Sequence, residues 1–80
     1  MTSWTDVGHL LSTMVIIGYE TEARYGIAAT ADDLYRMANR ILEKHAGCRS
    51  RDFEKLVMPD IRLVAEEYAK DKLRRVLEKN

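Results

Sequence analysis

The chain has 80 residues, of which 13 are basic and 13 acidic, so its formal net charge is zero. This length allows a single domain, 1–80, and the balanced charge argues against both a strongly basic nucleic-acid binder and an acidic mimic of DNA. Cys48 is the only cysteine, so no disulfide can form within the chain. The sequence has neither an apolar run long enough to span a bilayer nor a signal-peptide pattern, and we therefore expect a cytoplasmic protein.

The first helix is predicted to begin at about residue 3, where Ser3 and Asp6 resemble a capping pair. Apolar residues then recur at helical spacing, namely Val7, Leu10, Leu11, Met14 and Ile17. Gly8 lies within this helix, where glycine costs about 1 kcal/mol relative to alanine. A glycine at this position suggests the close approach of another backbone.

The end of the first helix is ambiguous in the sequence. The helix covers 3–17 if Gly18 ends it, or 3–25 if Gly26 supplies the left-handed stop that glycine adopts at low cost. A short β-strand over 14–19 is a further alternative, because that stretch is apolar and β-branched.

The second helix is predicted over 31–46. Thr30 is a good N-cap, and Asp32 and Asp33 place negative charge in the first turn, where the helix dipole favours it. The helix carries one broad apolar stripe, formed by Leu34, Tyr35, Met37, Ala38, Ile41, Leu42 and His45. Gly47 supplies the stop.

Two further helices are predicted over 51–58 and 59–79, because Pro59 interrupts the pattern and proline suits the first turn of a helix. A single helix kinked at Pro59 is the alternative. The longer segment has an apolar face made of Ile61, Val64, Ala65, Tyr68, Ala69, Leu73, Val76 and Leu77. Helices with one apolar stripe must pack together, so we predict an all-α fold, a compact three- to four-helix bundle.

Catalytic and metal-binding patterns are weak. His45 and Cys48 have the spacing of many zinc ligands, but a second ligand pair is missing and His9 stands alone upstream. Recognisable nucleophile, phosphate-loop and metalloprotease motifs are missing too. We therefore expect no cofactor, no metal and no enzymatic activity.

DNA binding is the alternative function, because residues 34–57 are arranged as helix, glycine-containing turn, helix. Arg49, Arg51 and Lys55 would then contact phosphates or base edges. Three acidic residues oppose this interpretation. Glu43 lies where the two helices of this motif cross, and Asp52 and Glu54 lie on the supposed recognition helix.

Protein binding is the function that the sequence favours. Trp4, Tyr19 and Tyr25 are large aromatics of the kind enriched at interface hot spots, and they lie near the stretches whose structure the sequence defines least. We expect them to contact a partner protein, and we expect the long apolar first helix to form a homodimer seam. The chain is thus predicted to be a non-enzymatic adaptor, regulatory subunit or inhibitor, such as those encoded by phages and mobile elements. A structural subunit of a larger particle is the second alternative.

Overall fold

A computed structural model describes residues 4–45 and 53–78, which form three α-helices. They are α1 (Trp4–Tyr25), α2 (Ala31–Lys44) and α3 (Phe53–Glu78). The first helix packs against both of the others, whereas α2 and α3 contact each other much less. The predicted all-α class is confirmed, with three helices in the described part of the chain. None of these helices is long and apolar enough to cross a membrane.

The first helix runs through Gly18 without a break, so the shorter helix 3–17 and the strand over 14–19 are both wrong. Its last residue is Tyr25, and the residue that follows, Gly26, has a φ of +67°. The Gly26 N–H donates to the Glu22 carbonyl at 2.9 Å, and the Ile27 N–H donates to the Thr21 carbonyl at 3.2 Å. These bonds satisfy carbonyls that a helix end leaves open, as the predicted left-handed stop requires.

The second helix begins as predicted. The Thr30 hydroxyl accepts a hydrogen bond from the Asp33 N–H at 3.2 Å, which is an N-cap contact. The last helical residue is Lys44, and His45 caps the end. The predicted stop at Gly47 lies outside the described residues.

Pro59 lies inside α3, so the prediction of separate helices over 51–58 and 59–79 is wrong. Proline removes one helical hydrogen bond and crowds the preceding turn, which costs about 3 kcal/mol. Val57 and Ile61 flank Pro59 and are completely buried against α1 and α2. Burial of these side chains holds the helix together across the proline.

The core lies between the three helices. Its buried members are Ile17, Met37, Ala38, Ile41, Phe53, Val57 and Ile61. Other apolar residues that the periodicity placed in the helical stripes are exposed: Leu11, Tyr35, Leu73, Val76 and Leu77. The core is therefore smaller than the helical stripes predict, and apolar surface remains on the outside.

Candidate functional site

The outer face of α1 carries three large apolar side chains spaced four residues apart. Leu11 is 56% exposed, Val15 71% and Tyr19 70%. Residues at this spacing lie one above another along a helix. We call this row, together with the exposed Gly8 and Glu22 in line with it, the α1 outer face.

The α1 outer face is free of charge over most of its length. The sequence has no Asp, Glu, Lys or Arg from Val7 to Tyr19. The one imidazole in this stretch, that of His9, stacks on Phe53 with ring centroids 4.0 Å apart. Covering the row from Leu11 to Tyr19 with another apolar surface would therefore desolvate no carboxylate, ammonium or guanidinium group.

The inner face of α1 is unexpectedly polar. Thr13 and Thr21 are almost completely buried, and each hydroxyl donates to a carbonyl of the preceding turn. These donations satisfy the hydroxyls locally, which makes them compatible with a core. Glu20 is also buried, and its carboxylate accepts from the Arg24 side chain at 2.5 Å. The helix thus buries polar groups while leaving leucine, valine and tyrosine outside.

A groove runs beside the α1 outer face, between this helix and the start of α2. It has a volume of about 380 Å³. Most of its lining is apolar: Leu11, Met14, Val15, Gly18, Tyr19, Glu22, Ala28, Ala29 and Leu34. A Cβ atom at Gly18 would lie 3.5 Å from the Leu34 side chain, so the glycine keeps the groove floor low. The groove and the exposed row form one continuous apolar surface.

A second exposed apolar patch lies at the C-terminal end of α3. Leu73 and Val76 are each 58% exposed and Leu77 is 73% exposed. Charged side chains are interspersed with them, and Asp71 forms ion pairs with Arg74 at 2.9 Å and Arg75 at 3.2 Å. This patch is broken by charge, in contrast to the α1 outer face.

A small polar cluster ties the end of α2 to α3. Asp60 accepts from Lys44 at 2.9 Å and from the His45 Nε2–H at 2.6 Å, since an ionised carboxylate can only accept. The hydrogen bond from His45, and then that from Lys44, holds the pKa of Asp60 below its usual value. Among residues 4–45 and 53–78, His, Cys, Asp and Glu side chains nowhere form a group of three or more able to hold a metal. Through Asp60 the cluster joins the end of α2 to α3 by two hydrogen bonds.

The three predicted partner-binding aromatics have different positions. Tyr19 lies on the α1 outer face, and Tyr25 is 38% exposed at the end of the same helix. Six residues separate them, which places them about 120° apart around the helix, so they do not share a face. Trp4 begins α1, but its side chain lies outside the described part of the structure.

Of the residues named for the DNA-binding alternative, only Lys55 lies within the described ranges. Lys55 is exposed in the first turn of α3. Arg49 and Arg51 fall in the segment 46–52, outside the described residues, as do Cys48 and the predicted turn. The helix–turn–helix geometry therefore stays a prediction.

Sequence reasoning missed Leu11 and Val15 as surface residues, because it assigned Leu11 to the core stripe. The signal that could have found them is the long uncharged stretch, which holds more apolar residues than one buried stripe needs.

No known family model matches this sequence, and comparisons with curated proteins and with solved structures found no significant similarity.

Proposed function

We propose that this protein is a non-enzymatic protein-interaction module of the cytoplasm, which binds through the α1 outer face. It acts by occupying a surface of a larger assembly, as an adaptor, regulatory subunit or inhibitor. The observation that carries the proposal is the uncharged row of Leu11, Val15 and Tyr19 on the outside of a helix whose inside is partly polar.

The contiguous row of exposed apolar side chains on the α1 outer face favours a binding partner. Monomeric proteins seldom leave large contiguous apolar patches open, and such patches commonly mark interaction sites. Burying apolar surface contributes about 25 cal/mol per Å², and Tyr19 is of a residue type enriched at hot spots. The adjoining groove by Gly18 and Leu34 offers a recess for a partner side chain.

The charges of α3 favour protein over DNA as the partner. Glu66 pairs with Lys70 at 3.0 Å, and Asp71 pairs with two arginines. Cationic side chains that are already paired with carboxylates bind a phosphate backbone less well. Binding to that backbone depends on unpaired Lys and Arg side chains, which displace the counterions of the nucleic acid. The zero net charge of the chain points the same way.

A site-specific photo-crosslinker tests the proposal in the native host. With p-benzoylphenylalanine replacing Val15, irradiation should trap one protein partner that survives nuclease treatment. The same group replacing Leu63, which is 56% exposed on α3, is the matched control and should trap none. The purified partner should then bind the wild type and Leu63→Glu stoichiometrically, and should lose affinity for Val15→Glu.

Two results would contradict the proposal. One is equal crosslinking from positions 15 and 63. The other is recovery of DNA, in place of protein, in an amount that falls as salt rises, which would promote the helix–turn–helix alternative.

A further inference from the structure

We infer that the α1 outer face is covered by a second copy of this chain, with α1 packed antiparallel on the partner's α1 about a two-fold axis at Val15. This inference rests on the proposed function, because it takes that face as the interface. The second copy covers the face in the free protein, and a larger assembly would have to displace it. It adds the occupant, the orientation and the register.

The charge distribution of the α1 outer face suits pairing with itself. In a two-fold interface the same patch faces its own copy, so any charge near the axis meets a like charge. The stretch from Val7 to Tyr19 carries no charged side chain and avoids that repulsion. A surface evolved for an oppositely charged partner would instead display one sign of charge.

The spacing of the row fixes the register. Val15 lies midway between Leu11 and Tyr19, four residues from each, which is about 6 Å along the helix axis. An antiparallel pair centred on Val15 therefore places Leu11 against the partner's Tyr19, and the same contact recurs on the other side of the axis. The partner's Leu11 then lies at the mouth of the groove that Tyr19 borders.

A parallel arrangement is less favourable. It would set Glu22 against the partner's Glu22, and like charges across an interface repel. It would also align the two helix dipoles, whereas antiparallel helices place opposite partial charges side by side.

Gly8 supports a close approach of helices at this face. It is exposed within α1, and a Cβ built there would meet nothing within 4 Å among the described residues. Glycine in such a position costs about 1 kcal/mol relative to alanine, a cost that nothing in the described chain explains. In the antiparallel register Gly8 lies opposite the partner's Glu22, where the small residue leaves room for the longer side chain.

A charge-swap experiment at the axis tests the inference. Sedimentation equilibrium should show a dimer for the wild type. Val15→Glu and Val15→Lys should each weaken dimerisation about 100-fold or more, because the two introduced charges face each other. An equimolar mixture of the two variants should recover a dimer within about tenfold of the wild-type affinity. Leu63→Glu, the matched exposed control, should remain dimeric.

Disulfide trapping tests the orientation, in a Cys48→Ser background that removes the native thiol. Val15→Cys should crosslink to its own copy on oxidation. Leu11→Cys alone should not, but it should crosslink when mixed with Tyr19→Cys. Self-crosslinking of Leu11→Cys would indicate parallel helices and would overturn the inference.

The outcomes separate this inference from the proposed function. A monomeric wild type whose Val15→Glu variant loses a different protein partner would overturn the second-copy inference and leave the proposed function standing. A wild type that dimerises regardless of charge at position 15 would also overturn the inference. If the Val15 variants change neither self-association nor partner binding, both ideas fail.

Discussion

The Tyr68 hydroxyl donates a hydrogen bond of 2.7 Å to a carboxylate oxygen of Asp33, joining the middle of α3 to the first turn of α2. Burial and the neighbouring carboxylate raise the pKa of Tyr68 to about 12, so the phenol keeps its proton at neutral pH. The same hydrogen bond, helped by the contact with Thr30, lowers the pKa of Asp33. The pair is therefore a charge-assisted bond between two helices that otherwise contact each other little.

Replacing Tyr68 with phenylalanine removes that bond while keeping the ring. We expect the free energy of unfolding to fall by about 1.5–3 kcal/mol at neutral pH, the range for hydrogen bonds to charged groups. Urea unfolding followed by circular dichroism measures it. Tyr35→Phe is the control, since Tyr35 is 50% exposed, and it should change stability by less than about 0.5 kcal/mol. Equal losses in the two variants would show that the Asp33 contact contributes nothing.

The lowered pKa of Asp33 gives this bond a definite pH dependence. The folded-state pKa lies below the ordinary value of 3.8, so the stabilisation is present above that value and is lost as pH falls through the folded pKa. The stability difference between wild type and Tyr68→Phe should therefore be constant near neutrality and shrink in acid. Unfolding curves for both proteins at a series of pH values would test this, and a difference that grows in acid would contradict it.

Asp60 should behave in the same way at the other end of α2. Its pKa is lowered by the hydrogen bonds from His45 and Lys44, so its contribution is present above pH 3.8 and is lost as pH falls through the lower folded value. We expect Asp60→Asn to destabilise the protein by about 1–2 kcal/mol at neutral pH and to match the wild type at strongly acidic pH. Glu67→Gln, an exposed change on the same helix, should have little effect at any pH. Two parallel stability curves for wild type and Asp60→Asn would refute the assignment.

How far the sequence predicts the fold differs between helices. The start of α2 follows from local chemistry, because Thr30 caps the helix and Met37, Ala38 and Ile41 form its buried stripe. The length of α1 does not, because Gly18 is compatible with a stop. Gly18 lies inside the helix and faces Leu34 of α2. A Cβ added at Gly18 would make an ordinary van der Waals contact with the Leu34 side chain. Tertiary packing overrides the local preference of glycine to end a helix.

The orientation of α1 was also beyond sequence reasoning. Apolar residues occur on all its sides, so periodicity alone could not decide that Ile17 faces the core while Leu11 and Val15 face outward. Thr13 and Thr21 are surface residues by type, yet their hydroxyls bond to their own helix and they are buried. The candidate site was therefore predicted through Tyr19 and through the expected homodimer seam of the first helix, but Leu11 and Val15 were not identified as its exposed residues.

The glycines at positions 8 and 26 should respond oppositely to alanine. Gly26 has a φ of +67°, which alanine adopts with strain, so Gly26→Ala should lower the free energy of unfolding by about 1 kcal/mol. Gly8 is helical and has open space where a Cβ would be added, so Gly8→Ala should raise it by about 0.5–1 kcal/mol. The measurement should use dilute protein, which keeps self-association from contributing. Destabilisation by both substitutions would mean that Gly8 contacts something within its own chain.

Pro59 offers the strictest test of how α3 is stabilised. Pro59 has no backbone N–H, so α3 lacks one helical hydrogen bond. The helix nevertheless continues, because Val57 and Ile61 are buried on either side of the proline. Pro59 itself is exposed, so alanine can replace it without disturbing the core. We expect Pro59→Ala to raise the free energy of unfolding by about 1–3 kcal/mol, because it restores the missing bond and removes the steric clash. Ile61→Ala, in contrast, should cost about 2–5 kcal/mol through the cavity it leaves. A destabilising Pro59→Ala would show that the proline itself is needed for the path of α3. Burial of Val57 and Ile61 would then not explain why the helix continues past residue 59.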